Sequence, residues 1–286
     1  MRRRILWLVI GVPLALVVIG AGAALSLPTT RHMIAGLWNL PDRLPAFPAN
    51  SQVHYQPGAE DFAREVAAIL PDTITRVEAV HGRRFAYPVI VGVYATPEAY
   101  AAANGVGSVV PVGVTFAGRV NLSPKLFRRQ HQRLRAILTH ELSHAQIQGW
   151  IGASAYTRLP NWFKEGLAVM ISDGGGAELV NEEEARAAIQ RGEQIVIDDA
   201  GSLRNLVDVR LEQAPVNKPA WYPVVLAYRE AGMFVTYLRE LDGPAFDRMM
   251  NAILDGRAFT EAVTVGYHAD VQSLWQKFAQ TTTGRK

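Results

Sequence analysis

His140-Glu141-Leu142-Ser143-His144 is the stretch on which the reading of this chain turns. It lies in a segment whose apolar positions Leu134, Ile137, Leu138, Leu142 and Ala145 recur at helical spacing. On a helix, residues four apart stack on one face with Cβ atoms about 6 Å apart, so two imidazoles reach toward a single cation. Glu141 follows the first histidine directly, where its carboxylate can flank the cation and take a proton from water. The chain has seven histidines in 286 residues, so this pairing does not arise from a His-rich composition.

A catalytic zinc takes three protein ligands and leaves one position open. With no cysteine in the chain, the third ligand is expected to be a histidine or carboxylate on a neighbouring element. Downstream, Pro160-Asn161-Trp162-Phe163-Lys164-Glu165-Gly166-Leu167-Ala168 opens with residues suited to a helix start and continues into an apolar run suited to a buried helix. Glu165 is acidic inside that run. A buried carboxylate needs a partner, and a metal is one such partner.

These two segments resemble the gluzincin metallopeptidases, and more narrowly the peptidase MA-like domains allied to the aminopeptidase branch. That pattern is H-E-x-x-H followed some twenty residues later by W-x-x-E-G-x-A, here His140-Glu141-x-x-His144 and Trp162-x-x-Glu165-Gly166-x-Ala168. The resemblance covers about 30 contiguous residues. It implies Zn2+ held by His140, His144 and Glu165, with Glu141 as general base and a peptide or protein as substrate. It also implies an oxyanion donor on a later helix, for which Tyr228 is the first choice and Tyr222 and His268 weaker ones. By the same resemblance, residues 112–120 are an edge strand along which a substrate backbone lies. The metzincin pattern is excluded because Ile147 and Trp150 stand where it needs glycine and histidine. The thermolysin-type pattern fits worse, since Val169 replaces its expected aspartate. A G-x-M-E-N-type aminopeptidase strand is absent, as the region reads Gly113-Val114-Thr115-Phe116-Ala117-Gly118, so exopeptidase specificity does not carry over. A catalytically silent binding or accessory module of the same fold is the alternative function.

Outward from this core, residues 89–94 read as a buried β-branched strand and Thr96-Pro97-Glu98 as the start of a short helix. Residues 112–122 read as a hairpin turning at Ala117-Gly118. Residues 62–81 read as a helix or helix pair interrupted at Pro71-Asp72 and stopped by Gly82. The half beyond residue 127 reads as helical. Gly174-Gly175-Gly176 reads as a loop after the Glu165 helix, with no phosphate-loop lysine. The expected fold class is α+β: a small mixed sheet with helices, then a mainly helical half carrying a zincin-type active-site helix, preceded by an N-terminal transmembrane helix.

That last element rests on residues 5–27, which carry no charge and supply the positive mean hydropathy of +0.05. About twenty helical residues cover a bilayer's hydrocarbon layer. An uncleaved signal anchor is therefore expected, with Ala21-Gly22-Ala23 offering an alternative cleavage site and a secreted form. Arg2, Arg3 and Arg4 account for the whole net charge of +3 and orient the tip, residues 1–4, to the cytoplasm, with the catalytic domain outside the cytoplasmic membrane. Proline-rich residues 28–52 read as a linker, 53–280 as the peptidase MA-like domain and 281–286 as a disordered tail. The expected partners are a peptide or protein substrate and, through residues 5–27, the lipid bilayer. A charge-balanced body excludes a nucleic-acid binder, which needs a basic surplus to neutralise phosphates.

Overall fold

The computed structural model describes residues 27–201 and 209–284. Their order is α1 (Pro28–Trp38), β1 (Ala46–Phe47), β2 (Asn50–Tyr55), α2 (Glu60–His81), β3 (Val91–Val93), α3 (Pro97–Ala103), β4 (Gly113–Phe116), β5 (Arg119–Leu122) and α4 (Pro124–Arg129). There follow α5 (Leu134–Arg158), α6 (Asn161–Ile171), α7 (Glu182–Arg191), α8 (Tyr222–Leu241), α9 (Gly243–Leu254), α10 (Phe259–Tyr267) and α11 (Val271–Thr283). The sheet order is β1-β2-β3-β5-β4, with β2, β3 and β5 parallel and each edge strand antiparallel to its neighbour.

This is a mixed α/β fold, mostly helical, which corrects the α+β expectation. The reason lies in the connections: α2 carries the chain from β2 to its parallel neighbour β3, and α3 lies on the path from β3 to β5. No helix among the described residues is long and apolar enough to cross a membrane. That finding goes against the transmembrane helix in the expected fold class, and the single-pass placement in the cytoplasmic membrane with it, as far as the described residues reach. The basic tip and residues 5–26 of the expected anchor, and hence its bilayer contact, lie outside the described residues.

Residues 28–52 are built structure where a linker was expected. Pro28 opens α1 and Pro41 opens a 3-10 turn, positions where the missing N–H of proline costs nothing. The folded unit therefore begins before residue 53, with β2 pairing to β3 through Val53↔Val91. At the other end α11 continues to Thr283, so 281–283 are helical and not a disordered tail.

Helix α2 runs unbroken through Pro71, where an interruption was expected, and the other local signals are honoured: it ends at Gly82 in the left-handed conformation, φ 67°. The side chain of Thr96 caps α3 by accepting the Ala99 N–H. The β4–β5 hairpin turns through Ala117 and Gly118, both at positive φ. The core joins the sheet to α5 and α2 and extends into an aromatic cluster of Trp162, Phe163, Phe234, Phe259, Trp275 and Phe278.

Candidate metal centre

Helix α5 packs against β4, β5, α2 and α6, and its middle is buried, His140, Glu141 and His144 included. Helix α6 starts after Pro160 and returns alongside α5, carrying Glu165. Two glycines let α6 and α8 approach closely: a Cβ on Gly166 would collide with the Ala231 carbonyl, and one on Gly232 with Val169. Helix α8 in turn backs α6 and holds Glu165 toward α5.

The result is convergence of three ligand atoms. His140 Nε2 lies 3.1 Å from His144 Nε2 and 3.2 Å from Glu165 Oε2, and His144 Nε2 lies 3.5 Å from Glu165 Oε2. All three side chains are nearly inaccessible. A tetrahedral zinc with bonds of about 2.0 to 2.1 Å spaces its ligands about 3.3 Å apart, so the three atoms stand at the separations such an ion requires.

The hydrogen bonds fix their character. His140 Nδ1 lies 2.8 Å from the Gly175 carbonyl, which only accepts, so Nδ1 carries a proton and Nε2 is the ring atom available to a ligand. Nε2 faces a carboxylate oxygen and a second imidazole nitrogen, so a cation, either a proton on Nε2 or a metal ion in its place, is needed between them. Burial opposes a charge on Glu165, but the His144 and His140 imidazoles outweigh it and hold the carboxyl well below the usual carboxylate range. Burial likewise opposes protonation of His140, yet the facing Glu165 carboxylate raises its pKa above the ordinary histidine value. The buried group of His140, His144 and Glu165 can thus hold a metal ion.

Glu141 stands apart from the ligand triangle. Its side chain is held against edge strand β4, where Thr115 Oγ1 lies 2.8 Å from its Oε2 and 2.8 Å from its main-chain oxygen. Gly113 makes room for it, since a Cβ there would press on Glu141 Cγ and Oε1. Tyr228, on α8, stacks parallel to the His140 ring with centroids 6.2 Å apart and planes 8° apart. The two weaker donor candidates go elsewhere. Tyr222 donates to Glu184 Oε1 at 2.9 Å, and His268 ends α10 in the left-handed conformation.

Three contributors escape the sequence reading. Gly175, part of the loop after α6, gives His140 its acceptor. Thr115 pins Glu141. Tyr156 brings its hydroxyl within 2.8 Å of His144 Nδ1. The sequence signal for the last was Gly152 inside a helical pattern. Compared with known protein families, curated proteins and solved structures, the chain matches none of them.

Proposed function

We propose that the protein is a zinc metallopeptidase in which His140, His144 and Glu165 hold the ion and Glu141 is the general base. The observation that carries this reading is the convergence of two imidazole Nε2 atoms and one carboxylate oxygen at 3.1, 3.2 and 3.5 Å beside a carboxylate that is not part of the set. Two histidines and a glutamate are a catalytic zinc set, and without thiolates the donors suit neither a closed structural zinc site nor a softer metal. Zinc bound there would lower the pKa of a water toward about 7 and polarise a carbonyl.

The side chains of this chain supply the rest. Glu141 accepts the proton of the attacking water on its carboxylate and returns it to the leaving amine nitrogen, while Thr115 holds the carboxylate in place from β4. Tyr228, stacked against the His140 ring, would donate its hydroxyl to the oxyanion of the tetrahedral carbon. Strand β4 is an edge strand next to Glu141, and a substrate backbone pairing with its free side brings a peptide carbonyl to the site.

Glu141→Gln keeps the shape and removes the base. Peptide hydrolysis measured on a broad peptide library is expected to fall about 100- to 10,000-fold, with zinc still bound. Undiminished hydrolysis would remove Glu141 from the mechanism. Zinc binding by the wild type with no hydrolysis of any peptide would favour a catalytically silent binding module instead.

A further inference from the structure

We infer that Tyr156 is a positioning residue of the metal centre: its phenol oxygen accepts the Nδ1 proton of His144 and so fixes Nε2 of that ring as the ligand atom. This rests on the metal-centre reading above, though not on peptidase activity.

Tyr156 is twelve residues beyond His144. In a straight helix that separation is a rise of about 18 Å, too far for any side-chain contact. Yet the Tyr156 hydroxyl lies 2.8 Å from His144 Nδ1 and the two rings meet edge to face, 6.3 Å apart at 77°. What joins them is a break in α5 at Gly152, where φ is 77° and ψ is 159°, a conformation open essentially to glycine alone. A Cβ at Gly152 would meet nothing within 4 Å, so glycine is required for its backbone freedom and not for space. After the break the chain turns back and returns Tyr156 to the ligand helix. Lys164, the neighbour of Glu165 on α6, then holds the tyrosine ring, with Nζ 4.9 Å from its centroid.

The need for such a residue follows from the imidazole. A ring that ligates through Nε2 carries its proton on Nδ1, and that proton requires an acceptor to hold tautomer and orientation. His140 has the Gly175 carbonyl; His144 has the Tyr156 oxygen. A hydroxyl can donate as well as accept. Donation to Nδ1 would place the ring proton on Nε2, the tautomer that cannot ligate, so metal loading selects the accepting role. Because Nδ1 lies across the ring from Nε2, Tyr156 acts from behind the ligand and is separate from the oxyanion donor.

The test compares zinc affinity, by competition with a chromophoric chelator, in the full-length wild type, Tyr156→Phe and Gly152→Ala. It also compares thermal unfolding of the metal-free proteins. Loss of one such partner typically costs about 10- to 100-fold in metal affinity. Both variants are expected to lose that much, with Tyr156→Phe still unfolding cooperatively without metal. Affinity of Tyr156→Phe within about twofold of wild type would overturn the inference while leaving the metal centre standing. Absence of zinc binding by the wild type would overturn both. Nitrogen-15 NMR of histidine in the zinc-loaded wild type reads the same point without a variant. A proton on Nδ1 of His144 is expected, and a proton on its Nε2 would contradict the role assigned to Tyr156.

Discussion

The two histidines of the candidate metal centre sit four residues apart on one helix but are held by different means, one by a loop carbonyl and the other by a tyrosine on a returned chain segment. The offset that brings their Nε2 atoms together is a helix property and is legible in five letters of sequence. Their outer partners are not, because a carbonyl from Gly175 depends on the path of a loop and Tyr156 depends on a single backbone conformation. Tyr228 was legible only through the resemblance; its stacking on His140 supports the role without depending on helical periodicity. Tyr228→Phe is expected to lower kcat about 100- to 1000-fold with little change in zinc affinity, measured on the same peptide library. An unchanged kcat would leave the ring as packing alone. Two residues further, Glu230 is fully buried, with Oε2 accepting the Ile195 N–H at 2.9 Å and Oε1 without a hydrogen-bond partner among the described residues. Burial pushes its pKa well up against the opposing hydrogen bond from Ile195. A carboxyl whose folded pKa exceeds its unfolded value contributes stability that is complete below the unfolded pKa and is lost as pH rises through the folded one. Glu230→Gln is therefore expected to unfold a few degrees above wild type at about pH 9 and together with it at about pH 4. Coincident unfolding curves at both would show that Glu230 ionises in the fold without cost.

Helices α5, α6 and α8 form the unit that builds the centre, and its weak point is glycine packing. Gly166 and Gly232 allow α6 and α8 to touch through their backbones, and Glu165 is the residue next to one of them. Gly166→Ala forces the helices apart. It is expected to cost about 1 to 3 kcal/mol in unfolding free energy and to weaken zinc binding because Glu165 moves with α6. Denaturant unfolding and chelator competition read the two effects, and loss of stability with unaltered zinc affinity would separate Glu165 from that contact. Other elements show where local signals suffice. Val91–Val93, the Ala117-Gly118 turn and the stop at Gly82 were readable because each depends on its own few residues. The prolines of residues 28–52 suggest a linker, yet Pro28 and Pro41 occupy starting positions of a helix and a 3-10 turn, where they begin structure and do not break it. Helix α2 survives Pro71 because packing against β2 and α5 outweighs the lost hydrogen bond.

Across the whole molecule, a parallel sheet core with antiparallel edges supports one long helix that carries His140, Glu141 and His144, and a helical half supplies Glu165 and its backing. Fold class could not be read correctly from the order of elements alone. Parallel pairing of β2 with β3 and of β3 with β5 joins residues such as Val53 with Val91 and Val91 with Val120, and no local pattern encodes it. The candidate metal site was legible because its residues are concentrated in two short segments that fold against each other. Metal analysis of the purified full-length chain, wild type beside Glu165→Ala, tests the centre most directly. One zinc per chain is expected in the wild type, with most of it lost in Glu165→Ala. Full zinc retention by Glu165→Ala, or a wild type that binds no zinc, would contradict the metal centre on which the function rests.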